Sequence, residues 1–345
     1  MPDIADRLVR WFIQNQRILP WRDNPEPYRV WVSEIMLQQT RVQTVLSYYH
    51  RFMEQYPCIT ALANASLEDV LNSWQGLGYY SRAKNLHKAA KIIQDQYHSI
   101  FPQEYDEILK LPGIGKYTAA AVLSIAFNQP FPVVDGNVMR VISRLFGIST
   151  NLRLPKTVKM IEMHLNSIFP AKKASDFNQG MMELGALICL PQNPKCEKCP
   201  ISMFCAAYKT GKQADYPNKS IQPKPKVIHR TIVLIRKKDK YLVHKRNEKG
   251  LLASMWEFPG VDSNERTAIS KFETEYGFVI DLHHKLFDTD FTFTHRIWKM
   301  SVYEASIRNE LDDSNDWKWL SFAEMTTYPF PKAFSKIMEY CKQLS

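Results

Sequence analysis

The sequence predicts a multidomain α and α+β protein: an all-α domain followed by a smaller α+β domain. Three observations carry this. Apolar residues recur at three- and four-residue spacing in ten segments up to about residue 210. A polar, basic, proline-containing stretch, GKQADYPNKSIQPKPK (211–226), then interrupts the pattern. Beyond it the runs become β-like.

The helical segments fall near 4–16, 28–40, 42–56, 67–73, 80–97, 104–110, 116–127, 137–146, 155–168 and 174–188. Short breaks such as NPEP, QGLGYY, LPGIG and FNQPFP separate them, where Gly and Pro oppose helix continuation. The expected domains are therefore 1–210 (helical), 211–226 (linker) and 227–345 (α+β). In the last, VIHRTIVLIRK, KYLVHKR, FDTDFTFTHRIWKMSVYEA and DWKWLSF read as strands. Helix patterns near 264–276 and 331–343 accompany them.

At 345 residues, two domains are the natural expectation. No apolar run approaches the ~20 residues of a membrane span. The opening MPDIADRLVRWFIQNQ reads as an amphipathic helix and not as a secretory leader. A reducing cytoplasm, or the nucleoid within it, is the expected location. The net charge of +10 is uneven: residues 1–225 carry 26 Lys/Arg against 18 Asp/Glu, residues 226–345 carry 19 against 17. A basic excess in the first part is compatible with a polyanionic partner but does not by itself identify one.

Four of the six cysteines, Cys189, Cys196, Cys199 and Cys205, lie in a 17-residue window with spacing C-x6-C-x2-C-x5-C. Disulfides are disfavoured in a chain long enough to bury its own core. Four thiolates this close suit a metal centre. Zinc accepts such a set but is usually held by paired C-x2–4-C knuckles. One short knuckle between longer gaps fits a cubane iron–sulfur cluster better.

Three further motifs carry chemistry. LPGIGKYTAAAVLSIAF is a Gly-x-Gly turn between helices. Gly113 and Gly115 leave backbone N–H groups free at a helix start, where they can hold a phosphate without reading sequence; a plain interhelical turn is the alternative. In PVVDGNVMRVISRLFG, Asp135 precedes a helix, as an N-cap or as a carboxylate facing developing positive charge. Glu34 sits among Trp31, Val32, Ile35 and Met36. If buried there it would have a raised pKa and could donate a proton near neutral pH; otherwise it is a solvated helix glutamate. Gln38 to Arg41 offer base-reading groups. Tyr79 and Tyr80, beside Arg82 and Lys84, combine stacking with phosphate contacts.

Together these motifs resemble the helix–hairpin–helix, iron–sulfur family of DNA base-excision glycosylases. The order of LPGIG, VDGNVMRV and the cysteine loop is similar to that of the family. PWR, VSEIMLQQTRV, QGLGYYSRAKNL and a second domain after the linker are similar to its MutY-type adenine-glycosylase branch. The catalytic lysine of the bifunctional, endonuclease III-like branch occupies a slot that is Tyr117 here, with Lys116 one place earlier.

The resemblance implies a monofunctional enzyme that hydrolyses the N-glycosidic bond of adenine opposite 8-oxoguanine, or less well guanine, in double-stranded DNA. It implies one 4Fe-4S cluster on the four cysteines and no strand cleavage through a Schiff base. Glu34 would protonate the adenine and then help position water. Asp135 would stabilise the sugar cation, with Tyr117 and Asn137 completing the site. Arg17, Trp21, Arg22, Gln179 and Met182 would line the pocket for the flipped base. Gln39, Thr40, Leu77 and Tyr79 would contact or wedge beside the opposite base, and Gly113 and Gly115 would hold the backbone. The last domain resembles a MutT-like, Nudix-fold domain through GLLASMWEFPG. Its SKFETEYG (270–277) lacks most of the metal-binding carboxylates of a Nudix hydrolase, so pyrophosphatase activity is not expected. Phe293, Thr294 and His295 occupy the place of a Phe-Ser-His hairpin that reads 8-oxoguanine, with threonine keeping the hydroxyl. A monomer without membrane attachment is expected. The rival readings are an endonuclease III-like glycosylase/lyase acting through Lys116 on oxidised pyrimidines, and a non-catalytic lesion-binding protein.

Overall fold

The structure, a computed structural model, describes residues 2–218, 224–308 and 311–344. The chain divides into two compact units, Met1–Asn64 with Asn85–Ile221, and Ala65–Lys84 with Gln222–Ser345. The stretch expected as linker spans the change of unit, and its residues 219–223 lie outside the described residues.

The first unit is helical throughout. The ten expected helices are present, most with ends shifted by one to three residues. Three short α-helices, Pro20–Asp23, Ile59–Asn64 and Ala206–Lys209, escaped the periodicity because none is long enough to show a full apolar stripe. Helix Lys116–Phe127 is apolar nearly all round and buried, so it needs neighbours on several sides. It packs on Pro27–Leu37 and on Ala174–Leu187. A core of Leu8, Val141, Ile142, Leu165, Phe177 and Leu184 joins Ala174–Leu187 to three further helices. Ile201, from the cysteine loop, is buried in the same core, with Cys189, Cys199 and Cys205 against its edge.

The second unit is built on a seven-stranded sheet ordered β3-β2-β1-β6-β5, with β4 paired to β1 and β7 to β2. The strands are β1 Lys226–Lys237, β2 Lys240–Lys245, β3 Trp256–Glu257, β4 Gly260–Val261, β5 Ile280–Thr292, β6 Arg296–Ile307 and β7 Trp317–Ser321. The β1–β6 pair is parallel and the others are antiparallel. Alternation along β1 sends Ile232 and Leu234 to one face, and Val233 and Ile235 to the other. Helix Ser335–Gln343 covers the first face and helix Glu265–Tyr276 the second. The single run expected over 287–305 is instead a hairpin. It breaks at residues 293–295, where Phe293 N–H closes on the Arg296 carbonyl.

Candidate active site and cysteine loop

Glu34 lies on helix Pro27–Leu37, whose residues 30–36 are all buried. It is 5% exposed. Its Oε2 accepts a 2.7 Å hydrogen bond from the Tyr117 hydroxyl. Burial pushes the Glu34 carboxyl up to about 7. The Tyr117 bond opposes that rise, the charge of Asp135 adds to it, and Arg22 opposes it. Burial, then the Glu34 and Asp135 charges, hold the Tyr117 phenol well above its ordinary value. Tyr117 is therefore a donor at every relevant pH. Its hydroxyl also lies 3.6 Å from Met182 Sδ.

Asp135 does cap a helix: its Oδ1 accepts from Val138 N–H at 2.6 Å, at the start of Gly136–Phe146. Its Oδ2 accepts from Asn137 Nδ2 at 2.9 Å. Burial raises the Asp135 pKa, and these bonds pull against the rise. Both carboxylate oxygens are thus held, and the Asp135 charge acts on Glu34. Asn137 Oδ1 accepts from the Arg140 guanidinium (2.8 Å), which also donates to the carbonyls of Gly185 (2.7 Å) and Cys189 (2.7 Å). Gly185 has no alternative here, since a Cβ would stand 2.6 Å from that of Asn137.

An ion cluster lies near enough for its Arg22 charge to act on Glu34. Glu183, 1% exposed, accepts from Arg17 Nε (2.8 Å), Arg17 Nη2 (2.7 Å), Arg22 Nη2 (3.0 Å) and the Arg17 backbone N–H (2.9 Å). Burial alone would raise its carboxyl, but the bonds from Arg17 and Arg22 outweigh that and hold it at about 2. Arg22 Nε also donates to Gln179 Oε1 at 3.0 Å. Trp21 is buried edge-on against Tyr49. Sequence reasoning missed Glu183, although Gln179, Met182 and Glu183 share one helix face at i, i+3, i+4.

The Gly113 turn needs its glycine twice over: φ is +79°, and a Cβ would stand 2.7 Å from Asn85 Cβ. Gly115 precedes helix Lys116–Phe127, and the space where a Cβ would project is open. Lys116 is exposed. Gln39 is exposed with φ +56°, and Thr40 is half-buried beside it.

In the second unit Tyr79 (φ +50°) is exposed, and its hydroxyl lies 2.6 Å from Thr294 Oγ1. Thr294 and His295 are exposed at the β5–β6 turn, whereas Phe293 packs on Phe291 and Trp298. Leu77 is buried. Arg82 and Lys84, expected as phosphate contacts, are engaged within the unit. Arg82 is buried and donates to the carbonyl of Gly78, while Lys84 donates to the Glu248 carbonyl and Ser254 Oγ.

The four cysteines are half-buried and couple electrostatically to one another. Burial pushes the Cys199 thiol up to about 12, and Cys196 and Cys205 upward as well. Arg144, 3% exposed, donates to Cys189 Sγ (3.4 Å) and to the carbonyls of Leu190, Pro191, Gln213 and Tyr216 (2.6 to 3.1 Å). Asn137, Arg140 and Arg144 form one polar stripe at i, i+3, i+7, the periodic signal by which the two arginines were findable. A cleft of ≈ 1230 Å³ opens beside the loop, lined in part by Arg140, Arg144, Lys195, Lys198 and Tyr208. No helix among the described residues is long and apolar enough to cross a membrane.

Residues 32–171 match the HhH-GPD superfamily of base excision DNA repair proteins, and residues 230–340 match the NUDIX domain. Fold and site together thus define a base-excision repair enzyme followed by a Nudix-like domain. An adenine DNA glycosylase of Buchnera aphidicola subsp. Schizaphis graminum is 34% identical over 343 residues, 97% of each chain. Another, from Buchnera aphidicola subsp. Acyrthosiphon pisum, is 39% identical over 76% of this chain and 75% of its own. The chain belongs to the adenine DNA glycosylases. Its helical part is similar to a thermostable thymine-DNA glycosylase structure, with TM-score 0.55 and 32% identity over 60% of this chain and 95% of that one.

Proposed function

We propose that this adenine glycosylase is monofunctional and excises adenine opposite 8-oxoguanine, and less well opposite guanine, in duplex DNA. The observation that carries the mechanism is the hydrogen bond between the buried Glu34 and the half-buried Tyr117. A carboxyl with a pKa of about 7 is half protonated at neutral pH and has a proton to give. Glu34 acts as the general acid on the flipped adenine, whose departure leaves a cationic sugar. Asp135, steadied by Val138 and Asn137, faces that cation as the anion. In a site shielded from water its charge is poorly screened and acts strongly. Water, positioned by Asn137, then adds to C1′ and gives a proton back to the Glu34 carboxylate, and an abasic site remains. Arg17, Trp21, Arg22, Gln179 and Met182 form the base pocket, and Glu183 fixes the two arginines. With a phenol in the slot beside Glu34 and Lys116 exposed, no amine is poised for Schiff-base chemistry, which supports hydrolysis without strand cleavage.

Gln39, Thr40, Leu77 and Tyr79, with Phe293, Thr294 and His295, take the opposite base. The backbone at Gly113 and Gly115 takes phosphate. Cys189, Cys196, Cys199 and Cys205 hold one 4Fe-4S cluster, which when bound orders the loop. The Arg144 guanidinium reaches Cys189 Sγ, as suits a thiolate, and Cys189, Cys199 and Cys205 pack against one edge of the same helical core, which supports the fit.

Single-turnover reactions on duplexes with A opposite 8-oxoguanine, G or T test the proposal. Alkali-dependent cleavage, fastest opposite 8-oxoguanine and absent opposite T, is expected. Cleavage of oxidised pyrimidines without alkali would instead return Lys116 to the mechanism.

A further inference from the structure

The loop after helix Leu67–Ser73 has an unusual backbone. Gly76, Gly78 and Tyr79 all have positive φ, at 94°, 78° and 50°. Glycine adopts this freely, but for a tyrosine it costs about 1 kcal/mol. The loop is therefore held in place and not merely permitted.

Some of the restraint is internal. Trp74 Nε1 and Arg82 Nη2 both donate to the Gly78 carbonyl, at 3.2 and 2.9 Å. The Tyr80 hydroxyl accepts from Gly76 N–H at 3.1 Å. The rest comes from the sheet domain of the same unit. Gln75 Nε2 donates to the Phe330 carbonyl (2.9 Å) and Asn72 Nδ2 to the Thr327 carbonyl (3.1 Å). These acceptors belong to a firm stretch: Phe330 is 2% exposed, and the Pro329 carbonyl between them accepts from Trp256 N–H. Two amide-to-carbonyl bonds three residues apart fix the rotation of the loop as well as its distance. Four residues beyond Gln75, the Tyr79 hydroxyl meets Thr294 at 2.6 Å.

We infer that Gln75 and Asn72 are positioning residues for the opposite base. They set the register between Tyr79 and Thr294, so discrimination of 8-oxoguanine from guanine runs through two bonds that touch no base. This rests on the reading that Tyr79 and Thr294 receive the opposite base. The two carboxylates have their own supports in Tyr117, Val138 and Asn137. Loss of Gln75 or Asn72 should therefore alter selectivity and leave basal excision alone.

The test uses the full chain carrying Gln75→Ala, Gln75→Glu or Asn72→Ala, with thermal midpoints as the folding control. Gln75→Glu keeps the shape and loses the N–H donor, which separates bonding from packing. Single-turnover rates are measured on A:8-oxoguanine and A:G duplexes. The ratio of the two should fall about tenfold, the scale of one lost hydrogen bond, with the A:G rate within about twofold of wild type. In a Thr294→Ala background, Gln75→Ala should change the ratio no further. A ratio untouched in all three variants overturns the inference, as does an equal fall of both rates. A wild-type enzyme without preference for 8-oxoguanine removes the underlying reading and the inference with it.

Discussion

Two glutamates in the helical unit, Glu34 and Glu183, are both buried, yet their carboxyls move in opposite directions. Glu34 rises to about 7 and Glu183 falls to about 2. Burial penalises the charge of both. Glu183 receives two guanidiniums and a backbone N–H, whereas Glu34 receives one phenol. Partners and not depth decide whether a buried acid is structural or reactive. The same contrast predicts opposite pH behaviour. Glu183 contributes stability present above the ordinary glutamate pKa and lost as pH falls from about 4.5 toward about 2. Glu34, raised in the fold, costs stability that grows from about pH 4.5 to about 7 and is relieved on acidification.

The largest effect that could break this comparison is on activity. Glu34→Gln keeps the shape and removes the proton, and should slow single-turnover excision by about 10²–10⁴-fold. It should not lower the thermal midpoint at pH 8, because it removes a disfavoured buried charge. A variant that keeps wild-type rates would end the assignment of Glu34 as general acid. Asp135→Asn comes next, with a rate loss of about 10²–10³-fold. Asparagine caps a helix as well as aspartate does, so stability should stay within about 0.5 kcal/mol. A midpoint that collapses along with the rate would mean that Asp135 is chiefly a cap.

Glu183→Gln should reverse the balance. Leaving Arg17 and Arg22 without their counter-charge should destabilise by about 3 kcal/mol in denaturant titrations. The smallest effect sharpens the contrast. Tyr117→Phe removes the bond that holds Glu34 down, so its pKa should rise further. The wild-type rate should fall as pH climbs through about 7, and in Tyr117→Phe that limb should move to higher pH, with a rate change of a few-fold at pH 6. An unmoved limb would mean that another group titrates.

The helices were legible because apolar spacing is a local property, and Glu34 was legible because one acid interrupts an apolar face. Asp135 showed only a local ambiguity, and it proves to cap its helix while its charge acts on Glu34. Glu183 stayed hidden because its meaning depends on arginines more than 160 residues away. The unit that joins residues 65–84 to the sheet was likewise invisible, since side-chain amides seeking distant carbonyls leave no periodic trace. Strands β3 and β4, two residues each, carry too little pattern to be read.

Arg144 has a consequence for the order in which the protein is made. Its guanidinium is buried, and its carbonyl partners at 190, 191, 213 and 216 are all synthesised after it. Until Tyr216 has left the ribosome the arginine cannot be fully satisfied, so the cysteine loop is finished late, after all twelve longer and shorter helices before it have been made. A chain ending at Thr210 would carry all four cysteines and lack two of the carbonyls that hold Arg144. Nascent chains stalled with residue 216 still inside the ribosome and with it fully emerged should therefore differ in protease resistance across the loop, and equal resistance would deny the clasp its role in assembly.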